Sequence, residues 1–155
     1  MRIGVVSDSH GTVPAGVHEA LAGVDHIVHA GDLESLQVLV ELELIAPVTA
    51  VRGNCDDEGA LARLPRVADV VLGGARFIVA HKAHVALQAL AAETAPVAVV
   101  VTGHTHEPSL ERRGAVLWVN PGSTTYERGS GHSVAIVTVG DDGSVGAEIV
   151  TLHES

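Results

Sequence analysis

Aromatic side chains are scarce here: one Phe, one Trp and one Tyr in 155 residues. A chain so poor in flat rings lacks the stacking platform that single-stranded nucleic acid needs, which argues against nuclease work. Cysteine is limited to Cys55, so no internal disulfide can form. Positive charge is sparse as well: 9 Lys+Arg against 19 Asp+Glu give a net charge of −10 with His neutral. Sequence-independent binding to phosphate backbones or anionic membranes needs a positive surface, so neither is expected. Long apolar runs are missing too. The longest, residues 95–101, falls far short of the roughly 20 residues that span a bilayer. Asp8 interrupts the first apolar run before a leader could develop, so no signal peptide is visible and a cytoplasmic protein is expected.

What is present is core-forming material and histidine. Hydrophobic residues make up 46% and charged residues 18%, with mean hydropathy +0.32, which suits one α/β domain over residues 1–155. Short β-branched runs at residues 3–6, 26–29 and 48–51 read as buried strands, each followed by glycine or a polar cluster. Residues 14–22 and 33–45 between them read as helices. In the second, Leu36, Leu39, Val40 and Leu44 form one helical face, and Pro47 closes it. Strand–helix–strand–helix–strand predicts a parallel sheet with right-handed crossovers. Further on, 68–72 and 76–80 predict a hairpin about Gly73-Gly74, 84–93 a short helix, and 96–101 and 116–119 two strands. Strands at 133–139 and 145–152 flank the hairpin turn Gly140-Asp141-Asp142-Gly143. Two facing sheets with helices outside are expected.

The ten His residues are not scattered evenly. Behind the predicted strands stand Ser7-Asp8-Ser9-His10, Ala30-Gly31-Asp32, Gly53-Asn54-Cys55-Asp56, His81 and Gly103-His104-Thr105-His106. In an open α/β sheet, ligands bind outside the carboxyl ends of the strands, so these segments converge on one edge. Strand alternation would put Asp8 beside His10, and His104 beside His106, on a common side. Carboxylate, imidazole and amide oxygen together suit Mn, Fe, Co, Ni or Zn. Seven such donors exceed one tetrahedral ion and match two ions sharing a carboxylate. Two adjacent ions clamp a phosphoryl group and acidify water, so a phosphate ester is the natural substrate class.

These motifs, followed by Asn120-Pro121-Gly122-Ser123, resemble the calcineurin-like metallophosphoesterase superfamily. They are similar in particular to its short bacterial and archaeal phosphodiesterase branch, to which the retromer subunit Vps29 is also related in fold. The resemblance runs from Ile3 to about Val139 and implies a four-layer α/β/β/α sandwich of two facing mixed sheets with outer helices. It implies that Asp8, His10 and His106 hold one divalent ion and Asn54, His81 and His104 the other, with Asp32 bridging. Mn is the first expectation for both ions, with Fe, Ni, Co or Zn as alternatives. The implied reaction is hydrolysis of a small phosphodiester by a metal-bridging hydroxide without a phosphoenzyme, with Asp32, Asn54 and His104 at the reacting centre and Asn54 also touching a phosphate oxygen. Two rival readings are a Vps29-like protein-binding scaffold without catalysis and a phosphomonoesterase. Retention of the whole donor set favours the enzyme.

Two departures from the family pattern stand out. Ala80-His81-Lys82-Ala83-His84 replaces the usual His-Gly. His81 is preferred over His84 as the ligand because it directly ends a strand. Cys55 occupies the position where larger relatives carry a His used as general acid, so the leaving group has no evident proton donor. Cys55 itself reads as a small buried apolar residue rather than a nucleophile, with support of the site as its functional alternative. Asn120 and Ser123 are expected to prop the site, and Arg128 is a candidate for a substrate phosphate. His18, His26, His29, His132 and His153 fall outside the motifs and read as ordinary polar residues, His29 with a claim to a supporting role because it precedes Gly31-Asp32. Self-association into a homo-oligomer is also expected.

Overall fold

The computed structural model describes residues 1–92, 95–126, 129 and 131–153. Arg128, the candidate phosphate contact, and Glu93, the expected end of the third helix, lie outside the described residues. The strands are β1 (Arg2–Val6), β2 (His26–His29), β3 (Val48–Ala50), β4 (Val67–Leu72), β5 (Ala75–Ala80), β6 (Val99–Val101), β7 (Ser109–Arg113), β8 (Val116–Asn120), β9 (Ser133–Val139) and β10 (Val145–Thr151). The helices are α1 (Ala15–Ala20), α2 (Leu36–Glu43) and α3 (Ala83–Ala91), with a 3-10 turn at Gly59–Arg63.

Two five-stranded mixed sheets form, in the orders β10-β9-β1-β2-β3 and β4-β5-β6-β8-β7. Each has a parallel set: β1-β2-β3 runs to the edge of the first sheet with antiparallel β9 and β10 on its other side, and β5-β6-β8 is flanked by antiparallel β4 and β7 in the second. The parallel strands place several carboxyl ends along one edge of each sheet. Alternation divides the apolar residues between layers. Ile3, Val5, Phe77, Val79, Val99, Val101, Leu117 and Val119 fill the space between the sheets. Val6 and Ile27 turn outward onto Val17 and Leu21 of the α1 segment and Val38 and Leu42 of α2. Ile78, Val100 and Trp118 turn outward onto Ala86 of α3. The four layers are therefore helices, sheet, sheet, helix, as the sequence predicts.

Two local expectations need correction, and one strand was not foreseen. The buried face of α2 is Val38 and Leu42, whereas Leu36, Val40 and Leu44 are exposed. The helix also begins at Leu36, because residues 32–34 take up a left-handed loop and Ser35 caps the first turn by accepting from the Gln37 N–H. Strand β7, with sequence Ser-Leu-Glu-Arg-Arg, is exposed along its whole length. It is an edge strand recruited by its hairpin with β8, so no apolar alternation announces it. Among the described residues, no helix is long and apolar enough to cross a membrane.

Candidate metal centre

Six non-glycine residues have positive φ among those described: Asp8, His10, Asp32, Glu34, His104 and His106. All six belong to the loops that follow β1, β2 and β6, as three pairs spaced i and i+2. Left-handed backbone is unfavourable for residues with a Cβ, although Asp and His tolerate it better than most. Its confinement to one site marks that site as functional. It also corrects the reason for convergence. Asp8 and His10 approach one another where the backbone turns left-handed beyond the strand, not because the pleat alternates.

The loops are laced to one another by backbone hydrogen bonds. The Asp8 N–H donates to Gly31 O at 2.9 Å and the His10 N–H to Asp32 O at 3.1 Å. Asp8 is fully buried, and its Oδ2 accepts from Ser7 Oγ at 2.6 Å and from the His104 N–H at 3.0 Å. Its Oδ1 accepts nothing. That atom lies 3.3 Å from His106 Nε2, 3.9 Å from His81 Nε2 and 4.0 Å from His10 Nε2. Burial raises the Asp8 pKa, against the pull of Ser7 and the neighbouring imidazoles.

Asp32 holds the opposite balance. Burial resists its charge, but the His81 imidazole beside it and the Cys55 N–H, which donates to Oδ1 at 2.9 Å, more than offset this and hold its pKa well below the carboxylate range. Gly53 is required for that approach, since a methyl group there would overlap Asp32 Oδ1. Gly103 is likewise required, because a Cβ would overlap Ser7 Oγ.

His81 is buried at the end of β5, and His84 is exposed on the first turn of α3, so His81 is the residue that faces the cluster. Its Nδ1–H donates to Ala30 O at 2.8 Å, so in the neutral ring the lone pair is on Nε2, 3.3 Å from Asp32 Oδ2. This Nε2 and Asp8 Oδ1 are two of only three buried side-chain polar atoms without a hydrogen-bond partner among the described residues. Buried polar atoms are normally satisfied, and two facing ones that are not call for a cation. The donor chemistry agrees. Asp8, His10 and His106 form one group of ligand atoms within 4.8 Å of one another, Asp8, Asp32 and His81 a second, and His10, Asp32 and Cys55 a third. The residues present thus fit divalent metal, with Asp8, His10 and Asp32 each shared between two groups.

The other expected residues are placed less centrally. His104 is exposed and meets His81 edge-on, with ring centroids 5.2 Å apart. Asn54 is exposed, its amide nitrogen 3.7 Å from Cys55 Sγ, and lines a cavity together with His81. Cys55 is exposed rather than buried, and the residue of its loop that turns inward is Asp56. Partial desolvation and the carboxylates of Asp32 and Glu34 push its thiol up to about 12, so it keeps its proton and is no nucleophile. Asn120 does support the site: its amide donates to Gly103 O at 3.1 Å and Thr105 Oγ1 at 3.0 Å. Ser123 donates to Asp8 O at 2.8 Å.

Three contributors escape the sequence reading, and a fourth, His29, has the supporting role that the sequence allowed it. The buried carboxylate of Asp56 accepts from the N–H groups of Asp32, Leu33, Glu34 and Gly53 at 2.8–3.2 Å, pinning the left-handed loop after β2. Glu34 stands 3.4 Å from His10 Nδ1. The Asp32-x-Glu34 spacing matches Asp8-x-His10 and would have flagged it. Thr125 donates to Ser9 O at 3.1 Å. His29 is fully buried, accepts from the Gly31 N–H at Nδ1 and bonds Ser9 through Nε2 at 2.7 Å. It joins two of the loops, and burial drives its pKa down to about 3, so it stays neutral.

Comparison with known proteins agrees with this geometry. A model of the calcineurin-like phosphoesterase superfamily domain matches residues 1–142. The chain belongs to that superfamily. A probable metallophosphoesterase from Methanothermobacter thermautotrophicus is 34% identical over 97% of this chain and 92% of its own length. The phosphodiesterase YfcE of Escherichia coli K12 is 31% identical over 83% of this chain and 82% of its own length. Among solved structures, an archaeal phosphodiesterase superposes with a TM-score of 0.79 at 25% identity, covering 97% of this chain and 100% of that one. Zinc-bound Vps29 from Entamoeba histolytica superposes with a TM-score of 0.75 at 21% identity over 97% of this chain and 98% of its own, a likeness of fold. The superfamily chain thus carries a side-chain cluster fit for divalent metal at the shared edge of its two sheets.

Proposed function

We propose that the protein is a two-metal phosphodiesterase that hydrolyses small phosphodiesters. The observation that carries this reading is the buried, unpartnered Asp8 Oδ1 with three imidazole Nε2 atoms within 4.0 Å. Asp8, His10 and His106 would hold one ion and Asn54, His81 and His104 the other, with Asp32 between them. Bound ions would neutralise phosphoryl oxygens and bring a water proton's pKa toward neutrality. The chain's own residues prepare the site. Ser7 and the His104 N–H fix the rotamer of Asp8, Ala30 fixes the tautomer of His81, and Cys55 N–H keeps Asp32 ionised. Tyr126 lies edge-on to His10 at 5.0 Å and walls one side of the site. A net charge of −10 favours a small diester over a nucleic-acid polymer.

The scaffold reading has the likeness of fold to Vps29 behind it, but the complete donor set favours catalysis. The test is hydrolysis of a panel of diesters and monoesters after reconstitution with Mn, Fe, Co, Ni or Zn. Turnover of diesters in preference to monoesters, abolished by chelation, is the expected result. Metal-independent turnover, or none with any ion, would overturn it.

A further inference from the structure

Beside the metal cluster, and sharing His81 with it, lies a cavity of about 270 Å³ lined also by Arg52, Asn54, Asp57, Arg66 and Lys82. Three of the chain's nine cationic side chains, including its only lysine, meet here in a protein of net charge −10. The topology makes the convergence permanent. Arg52 follows β3, and its N–H donates to Pro65 O while its guanidinium donates to Ala62 O, each at 2.9 Å. Arg66 leads into β4, whose first residue, Val67, pairs with Ala80 of β5, and Lys82 lies two residues beyond Ala80. Neither the Arg66 nor the Lys82 side chain makes a hydrogen bond or ion pair with the described residues. Three cations facing one carboxylate, Asp57, are left with excess positive charge that repels itself, so a cluster of this kind fits an anion.

We infer that this cavity is a binding subsite for a second phosphate group of the substrate. Three cations less the one carboxylate of Asp57 leave +2, the complement of a phosphate monoester dianion. Guanidinium forks and an ammonium point charge also match its three oxygens better than they match a carboxylate's two. The volume lies just under the usual range for drug-sized ligands, so it suits a phosphate with a short linker rather than a base or an acyl chain. The substrate class is then a phosphodiester in which one alcohol carries a phosphomonoester. That assignment of the occupant rests on the phosphodiesterase reading; the anion site itself does not.

The only lysine gives the test its readout. Reductive ¹³C-methylation labels Lys82 and the N-terminus, and retains the charge. Inorganic phosphate titrated into the metal-stripped protein should shift the Lys82 signal saturably. An equal ionic strength of chloride should not. Arg66→Gln should weaken phosphate binding at least about tenfold. In the metal-loaded enzyme, kcat/KM for a diester with a distal phosphate should exceed that for its neutral isostere at least about tenfold, and Arg66→Gln should bring the ratio close to one. No saturable shift, or a shift that Arg66→Gln leaves intact, would overturn the anion site. A normal shift with equal kcat/KM for both diesters would overturn its role as a substrate subsite. A normal shift with no turnover of any diester would leave the anion site standing and sink the phosphodiesterase reading instead.

Discussion

The turns at the two ends of the strands use the same backbone conformation for opposite reasons. At the hairpins, positive φ falls on glycine: Gly73 and Gly74 between β4 and β5, Gly114 between β7 and β8, Gly143 between β9 and β10. At the site it falls on Gly11 and Gly31 but also on Asp8, His10, Asp32, Glu34, His104 and His106. Where only a reversal of direction is needed, the residue without a Cβ takes the position. Where a side chain is needed at that point in space, strain is accepted and buried hydrogen bonds hold it. Asp56, Asn120, Ser123 and His29 supply those bonds, whereas the Ser144 N–H to Asp142 Oδ1 bond at the β9–β10 hairpin is exposed.

The strongest way to break this contrast is to remove a side chain that the strain is there to present. Asp32→Asn should lower diesterase activity about 10²–10³-fold, since metal-mediated charge stabilisation is worth several kcal/mol. His10→Gln should lower it less, because a water can replace one imidazole. Steady-state kinetics with circular dichroism to certify folding decides it. Equal, minor losses would make both residues structural.

Removing a support should act on stability instead. Asp56→Ala leaves up to four backbone N–H groups without their carboxylate. A loss of about 3–5 kcal/mol is expected, read from urea midpoints of metal-free protein. A loss under about 1 kcal/mol would mean the left-handed loop after β2 holds itself.

The legibility of the sequence divides along the same line. Buried strands announce themselves by β-branched runs, so both sheets and their facing were readable, and so were the segments that reach the site. The supports were legible only in part: Asn120, Ser123 and His29 stood out without their partners, and Asp56 did not stand out at all. Asp56 reads as the last residue of a turn, because nothing local shows that its carboxylate reaches back to residues 32–34. His29 reads as a strand residue, since its partner Ser9 is twenty positions away. The face of α2 misled for a different reason: Leu36, Val40 and Leu44 are periodic, yet the helix is rotated so that Val38 and Leu42 pack inward. Periodicity identifies a helix more surely than it says which side is buried.

His29 sharpens the contrast through pH. Its folded-state pKa, about 3, lies below the ordinary histidine value of 6.5. Unfolded chains therefore take up a proton that the fold refuses, and stability is full above pH 6.5 and lost as pH falls toward 3. The slope approaches roughly 1.4 kcal/mol per pH unit. His81 acts with the opposite sign: burial lowers its pKa, but Asp32 and Asp8 outweigh that and raise it above 6.5. Its contribution is therefore full below pH 6.5 and lost as pH rises beyond it. Urea midpoints between pH 6.5 and 4.5 should fall steeply, and His29→Gln should flatten the fall. An unchanged slope in the variant would show that His29 is not the group responsible.

The smallest effects compare the two kinds of turn directly. Nothing lies within 4 Å of where a Cβ on Gly74 would sit, so Gly74→Ala meets only the φ penalty, about 1–2 kcal/mol, with activity unchanged. His104→Gly relieves the same penalty, so stability should hold or rise by up to about 1 kcal/mol while activity falls. Loss of stability in His104→Gly would remove the claim that the site stores strain.

The central claim is tested most directly by titrating chelator-stripped protein with Mn while counting bound ions by elemental analysis and following diester hydrolysis. Two ions per chain are predicted, with activity rising as the second binds and Asp32→Asn unable to retain both. Full hydrolytic activity in protein shown to hold no metal, or no divalent binding at all, would contradict the account.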